Sequence, residues 1–411
     1  MAEKKRFDYI DAAKGLAVVL VIFGHTFRES MRADLAWCDV SYVVVYRFHV
    51  SLLFLLSGLG FGLAAQRYRE QPPLEFLRRK ARSLLLPWLS YSVLMYIIFA
   101  LIWALPPLRG MLAGSAYELI SPARYLLDML KNENPYCFHV WYLQTLFLFT
   151  LLTYACERYL PPRVSRAVRL ALVFIIPLLY DLFCHDWVWA GKAFMQKAMF
   201  FLVGTLIPER AIREHARALS VGGIGCGAVM LLLLFPPYGI DLYASRTTAI
   251  PAMYLENAAI LGLCLGITAV LSPLCGRAER QGAELQNSER QSVAEQHGAV
   301  EHGAEQRCSG GQSTERRGAS AARVPCVLRL AAFGRQTMPY YLYHQPFCCA
   351  FLGLVLYEKL GVPAPAVVAA CMAAGLLVPY LILRLLGGTR LGAAVERMGL
   401  PTGSARRCKM S

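Results

Sequence analysis

Long apolar stretches dominate this chain and decide what it can fold into. A helix needs about 20 mostly apolar residues to cross a bilayer. Ten stretches approach that length, at roughly residues 12–27, 40–65, 84–105, 139–156, 168–184, 194–208, 220–236, 248–271, 337–357 and 364–386. We therefore predict an all-α, polytopic integral membrane protein with about ten transmembrane helices.

The composition agrees with a membrane protein. Hydrophobic residues make up 56% of the 411 residues and charged residues only 17%, against roughly 25% charged residues in soluble domains. A soluble fold could not hide that much apolar surface. The net charge of +15 would by itself suggest nucleic acid as a partner. The apolar content instead excludes a nucleic-acid-binding globule, a disordered chain and a fibrous protein.

The basic residues indicate how the chain is oriented. If the N-terminus is cytoplasmic, the inner segments hold 31 of the 42 Lys and Arg residues, which is the bias that the positive-inside rule describes. An even number of spans then places both termini in the cytoplasm. We predict a multi-pass protein of the plasma or inner membrane of the cell.

One polar segment interrupts the series of spans. Residues 276–323 are rich in Gln, Glu, Gly, Ala and Arg and have no apolar periodicity, so they cannot build a core. We predict a charged, disordered cytoplasmic insertion within 273–330. It separates the first eight spans, in 1–272, from the last two, in 331–390, and a basic cytoplasmic tail follows at 391–411.

The 13 cysteines include no Cys-x-x-Cys pair, so the sequence signals neither a zinc site nor a redox motif. Cys38, Cys137 and Cys184 fall near the predicted outer face, where a disulfide is possible.

Ionisable residues inside the spans are costly and mark candidate functional positions. The first span contains Lys14 and His25, 11 residues apart, which places both on one helix face and roughly 16 Å apart along the axis. A neutral imidazole can accept a proton near neutral pH, so His25 is the candidate catalytic group. Alternatively, His25 ends the span at the interface, and Lys14 anchors the helix while paired with Asp11.

Further polar residues fall in the outer half or middle of other spans. They are Arg47, His49, His139, Trp141, Glu256 and His344. Arg47 either holds a polar ligand or extends outwards, Trp141 also fits an interfacial aromatic belt, and Glu256 requires a cationic partner. On the inner side, Arg67 and Arg69 suit a phosphate-bearing ligand, although ordinary positive-inside charge is the favoured explanation from these residues alone.

These motifs resemble those of the acyltransferase family 3 membrane proteins, in particular the group similar to fucose 4-O-acetylase. The resemblance covers about residues 10–385. It rests on Lys14 and His25 with ten residues between them, Phe48-His49 through Ser57-Gly58, Arg67-x-Arg69, His139-x-Trp141-Tyr142-Leu143 and Tyr343-His344-Gln345-Pro346. The family often has Arg where this chain has Lys14, which keeps the charge but loses bidentate phosphate geometry. The charged insertion is not part of the family core.

The resemblance implies transfer of an acyl group, usually acetyl, from cytoplasmic acyl-CoA to a hydroxyl of an extracytoplasmic carbohydrate, within membrane lipid and without a metal. It implies that His25 and Lys14 are catalytic and that Arg67, Arg69 and Lys14 bind acyl-CoA. It further implies that the acceptor is bound, or protons are relayed, by Arg47, His49, His139, Trp141, Glu256 and His344. His25 acts either as a general base or as a transient acyl carrier.

Two other classes of function use the same residues. Intramembrane Lys, His and Glu also suit a secondary transporter or flippase for a glycan or lipid-linked sugar, although the two halves show no matching pair of Gly- or Pro-broken helices. A sensory or scaffold module could use the basic inner face. We favour the acyltransferase.

Overall fold

The computed structural model describes residues 7–112, 117–131, 133–183, 190–236, 246–302 and 326–402, and none of these residues forms a β-strand. The predicted all-α class is confirmed. The α-helices are, in chain order, α1 Asp8–Gly24, α2 Glu29–Asp34, α3 Ala36–Leu63, α4 Ala65–Glu70, α5 Pro73–Lys80, α6 Leu86–Ala104, α7 Pro106–Leu112, α8 Pro122–Lys131, α9 Trp141–Tyr159, α10 Pro162–Phe183, α11 Ala190–Leu206, α12 Glu209–Glu214, α13 Ala216–Leu234, α14 Arg246–His302, α15 Cys326–Gly334, α16 Thr337–Tyr343, α17 Ala364–Leu386 and α18 Arg390–Arg397.

Each of the ten predicted spans coincides with a helical segment. The ninth combines α16 with the π-helical segments Phe347–Phe351 and Leu354–Lys359. Within the described residues, five helices are long and apolar enough to cross a membrane, namely Ala36–Leu63, Pro73–Ala104, Ala216–Leu234, Thr248–Gln281 and Ala364–Leu386. Others are shorter: α1 and α11 have 17 residues each. The multi-pass class is thereby supported, whereas ten spans and cytoplasmic termini stay predictions.

The helix that contains the eighth predicted span is longer than the apolar stretch 248–271. Helix α14 runs past residue 271 and through the start of the charged segment to His302, where we predicted a disordered insertion. The Gln, Glu, Ala and Arg residues that exclude this segment from a core are also good helix formers, which is the physical reason for the difference. Residues 303–325 of the predicted insertion lie outside the described ranges.

Helices α1 and α3 form the centre of the structure. Helix α3 packs against α1, α11 and α14, and α1 also contacts α15, α16 and α17. Small residues allow this close packing: Ala12, Ala13 and Ala17 of α1 have no exposed surface. Because neighbours surround α1, its C-terminal end and His25 are held at the middle of the bundle.

Glycines bring α3 and α11 into backbone contact. A Cβ atom at Gly58 would overlap the carbonyl oxygen of Phe201, and one at Gly204 would overlap that of Leu55. Ser57-Gly58 is therefore a close-packing site between the two helices. This approach fixes the register between the two helices, and with it the position of α11 side chains opposite those of α3.

Two of the three cysteines considered for a disulfide are buried and free. These are Cys38 and Cys137, whereas Cys184 lies outside the described residues.

Candidate active site

A cavity of about 920 Å³ opens at the C-terminal end of α1. Its walls come from α1, α3, α9, α11, the segment from the end of α8 to α9, and the chain that follows α16. The predicted residues His25, His49, His139 and Trp141 line it. Four of the residues singled out from sequence, on three separate segments, thus face one space.

His25 lies immediately after the last residue of α1, where it is half-buried at the cavity wall. Its Nδ1 lies 3.0 Å from the phenolic oxygen of Tyr46 on α3, and the two rings meet edge to face at 5.7 Å between centroids. Gly24 makes this contact possible, because a Cβ there would lie 2.9 Å from the Tyr46 ring. Tyr46 therefore fixes the orientation of the His25 imidazole.

The partners of His49 and His139 assign their ring nitrogens. Nδ1 of His49 lies 2.6 Å from the Val45 carbonyl oxygen, and Nε2 of His139 lies 3.2 Å from that of Leu342. A carbonyl oxygen only accepts, so each of these nitrogens donates. In the neutral ring the other nitrogen, Nε2 of His49 or Nδ1 of His139, is then an acceptor. A ligand in the cavity would therefore meet a hydrogen-bond acceptor at Nε2 of His49 and another at Nδ1 of His139.

His344 lies between two of the other histidines and has no exposed surface. Its ring centroid is 5.2 Å from that of His25 and 5.1 Å from that of His139. Nδ1 donates to the Tyr340 carbonyl oxygen at 3.0 Å, and Nε2 has no hydrogen-bond partner within the described ranges. A buried acceptor without a partner is destabilising, so Nε2 of His344 is available to accept a hydrogen bond.

Arg47 and Glu256 form an ion pair next to this cavity, with Arg47 Nη1 3.3 Å from Glu256 Oε1. The Arg47 side chain is 50% exposed and that of Glu256 only 13%. The cationic partner that the sequence required for Glu256 is therefore Arg47, a residue singled out separately.

The residues predicted to bind acyl-CoA do not line the cavity. Lys14 Nζ lies 3.7 Å from Asp11 Oδ1, the pairing considered as its alternative role. Arg67 is exposed on α4, whereas Arg69 binds the Glu157 carboxylate and donates from Nε to the Glu157 carbonyl oxygen at 3.1 Å. The structure thus gives the two arginines of the Arg-x-Arg pair different surroundings.

Glu157 is the centre of a buried ionic triad on that side of the molecule. It is 2% exposed and binds Arg69 through one oxygen and Arg169 through the other, and Ser165 Oγ donates to it at 3.2 Å. Arg169 also donates to the Thr205 carbonyl oxygen at 3.3 Å. The triad ties α4, α9, α10 and α11 together.

Sequence reasoning missed most of the cavity wall, including Tyr46 and Lys197. Lys197 lies inside the predicted span 194–208, and the rule that singled out Lys14 would have found it. Tyr46 carries no such signal, because its importance depends on the packing of α3 against α1.

The described part of the chain is an all-helical, membrane-type bundle with a histidine-lined cavity. Comparison with protein families shows which class of protein this is. A family model described as an acyltransferase domain matches residues 7–384. The chain belongs to this family, acyltransferase family 3, and is a membrane acyltransferase. Searches of curated proteins and of solved structures give no significant match. No group of three metal-binding side chains converges anywhere in the described ranges.

Proposed function

We propose that this protein transfers an acyl group, in the simplest case acetyl, from cytoplasmic acyl-CoA to a hydroxyl of an extracytoplasmic carbohydrate. The acceptor would be an exopolysaccharide, a cell-wall glycan or a lipid-linked glycan, as the resemblance to the fucose 4-O-acetylase group implies. The observation that carries the proposal is the meeting of three histidines from separate segments at one cavity, with a fourth, His344, packed behind two of them. Its volume, about 920 Å³, lies in the range of small-molecule sites.

His25 is the proposed catalytic residue. In direct transfer, its imidazole accepts the proton of the sugar hydroxyl while the oxygen attacks the thioester carbonyl. The C–S bond then breaks, and CoA leaves as the thiol after its sulfur takes that proton from the imidazolium. In the covalent alternative, a ring nitrogen of His25 attacks the thioester first, and CoA leaves as the thiolate. The sugar oxygen then takes the acyl group, and its proton passes to the imidazole as the N–acyl bond breaks. Tyr46 orients the ring in both cases.

The donor would approach from the Lys14 end of α1. That helix is continuous from Asp8 to Gly24, so the roughly 16 Å between Lys14 and His25 follows from helix geometry and is comparable to the reach of a pantetheine arm. Lys14, Arg67 and Arg69 supply positive charge for the CoA phosphates. Ala17 and Val18 between the two ends are buried, so the arm must separate neighbouring helices to pass.

Labelled acetyl-CoA tests the proposal directly. Inside-out membrane vesicles that contain the full chain and native envelope glycan would receive [¹⁴C]acetyl-CoA on the cytoplasmic face. We expect alkali-labile radioactivity in the glycan fraction, and none with vesicles that lack the protein. Movement of glycan across the vesicle membrane without acylation would instead support a transporter and reject the acyltransferase.

Replacement of Tyr46 by phenylalanine should lower kcat about tenfold, because one hydrogen bond of about 1–1.5 kcal/mol no longer holds the His25 ring. The KM for acetyl-CoA should stay at the wild-type value, since Tyr46 is remote from the Lys14 end. Initial rates over a series of acetyl-CoA concentrations would measure both. Tyr159→Phe is the matched control, because Tyr159 is 67% exposed. Equal kcat for the two variants would contradict the orienting role.

A further inference from the structure

Positive side chains gather in the wall of the histidine-lined cavity. Among the described lining residues, the charged groups other than histidine are Lys131, Lys192, Lys197 and Glu133. Three cations thus face the cavity against one anion. A cavity whose wall carries a net positive charge favours a negatively charged ligand.

Lys197 lies on α11 and is half-buried. Its Nζ donates to Ser51 Oγ on α3 at 3.3 Å and lies 5.7 Å above the Phe200 ring. The close contact of α3 with α11 holds this lysine against the α3 wall of the cavity. Keeping an ammonium group among apolar helices is costly, so Lys197 is a candidate functional residue.

Lys197 shares its surroundings with the Arg47–Glu256 pair, since it interacts electrostatically with both. The three residues carry two positive charges and one negative charge. The Arg47–Glu256 ion pair at 3.3 Å already matches the carboxylate with a cation. The cluster therefore keeps a net charge of +1, Lys197 is its member at the cavity wall, and a bound anion would balance that charge.

The cluster is connected to the proposed catalytic residue, His25, through Tyr46 and His49. The Tyr46 ring contacts His25 on one side and His49 on the other, at centroid distances of 5.7 and 4.9 Å, and His49 in turn interacts electrostatically with Lys197. A sugar lying along this wall can present a hydroxyl to His25 while a negative group lies at Lys197. Among the described residues, the cavity meets α1 only at Val21, and it also meets His25 directly after the helix, far from the Lys14 end where CoA would bind.

We infer that the acceptor is an anionic carbohydrate and that Lys197 binds its negative group. That group is the carboxylate of an acidic sugar or the phosphate of a phosphorylated or lipid-carried one. A lysine ammonium is a point charge and recognises either anion without demanding bidentate geometry. The identification of the ligand as the acyl acceptor rests on the proposed function, whereas the preference for an anion does not.

Calorimetric titration of the full-length protein in detergent, without acyl-CoA, tests this inference. The probes are methyl β-D-glucuronide and glucose 6-phosphate, with neutral methyl β-D-glucoside for comparison. We expect one or both anions to bind about 10- to 100-fold more tightly than the glucoside, as one charge-assisted hydrogen bond provides. Lys197→Gln should abolish the preference and Lys197→Arg should keep it. Tighter binding of the glucuronide indicates an acidic sugar, and tighter binding of the phosphate indicates a phosphorylated one.

Lys359→Gln is the matched control, because Lys359 is exposed and outside the cavity wall. Equal affinity for anions and glucoside, no binding of either anion at millimolar concentration, or a preference that survives Lys197→Gln would overturn the inference. Acyl transfer measured on the same preparations separates the two proposals. Anion preference without acyl transfer would reject the proposed function alone, and acyl transfer without anion preference would reject this inference alone.

Discussion

Replacement of His25 by alanine is expected to lower acyl transfer by about 10²–10⁴-fold, the usual contribution of a positioned general acid–base group. The residue contacts Tyr46 and His344 and lines the cavity, so its loss removes the proposed proton acceptor from the reacting hydroxyl. The protein should still fold, because His25 follows the last turn of α1 and is only half-buried. The measurement is the initial rate of radioactive acetyl incorporation into glycan, with equal amounts of folded protein confirmed by size-exclusion chromatography.

His215→Ala is the control for this experiment, because His215 is exposed between α12 and α13. It should retain the wild-type rate. A His25→Ala protein that keeps most of its activity would contradict both the general-base and the acyl-carrier mechanism. Brief incubation with [¹⁴C]acetyl-CoA and no acceptor distinguishes the two, since only an acyl carrier leaves label on wild-type protein and none on the variant.

The histidines of the site were accessible from sequence for a physical reason. An ionisable side chain is rare in a transmembrane span and costly to bury, so it faces a cavity or another polar group rather than lipid. His25, His49, His139 and His344 were singled out one at a time, and the fold brings them together. Sequence gives no means of pairing His25 with Tyr46, which is one of 21 tyrosines. That contact depends on how α1 crosses α3.

The long helices were predictable in the same way, because apolar length alone indicates them. The extension of α14 to His302 was not predictable in this way, since residues 276–302 have no apolar periodicity. Arg67 and Arg69 show a further limit. They are equivalent in sequence, yet Glu157, which lies 88 residues after Arg69, binds Arg69. A contact over that separation has no local signature.

Removal of the Glu157 charge is expected to have the largest effect on stability. Glu157 is 2% exposed and lies between Arg69 and Arg169, and the Arg169 side chain is itself only 7% exposed. In Glu157→Gln, the two guanidinium groups remain close together without a carboxylate, and leaving a buried charge uncompensated costs about 3–5 kcal/mol. Thermal unfolding of the purified protein in one fixed detergent would measure the fall in the midpoint temperature. The matched control is Glu70→Gln, since Glu70 is exposed on α4 next to Arg69 and such surface changes alter stability by about 0.5 kcal/mol or less.

A second replacement separates lost charge balance from lost packing. In Glu157→Gln combined with Arg169→Gln, only the partly exposed Arg69 keeps its charge, so the double variant should recover part of the midpoint lost by Glu157→Gln alone, as coupled neighbours do. Additive losses would show that the triad contributes through packing, and a Glu157→Gln midpoint equal to that of wild type would show that it contributes little.

The same variants bear on the donor site. Because Glu157 positions Arg69, its replacement should raise the KM for acetyl-CoA if Arg69 binds phosphate from its observed position, whereas Glu70→Gln should leave that KM unchanged.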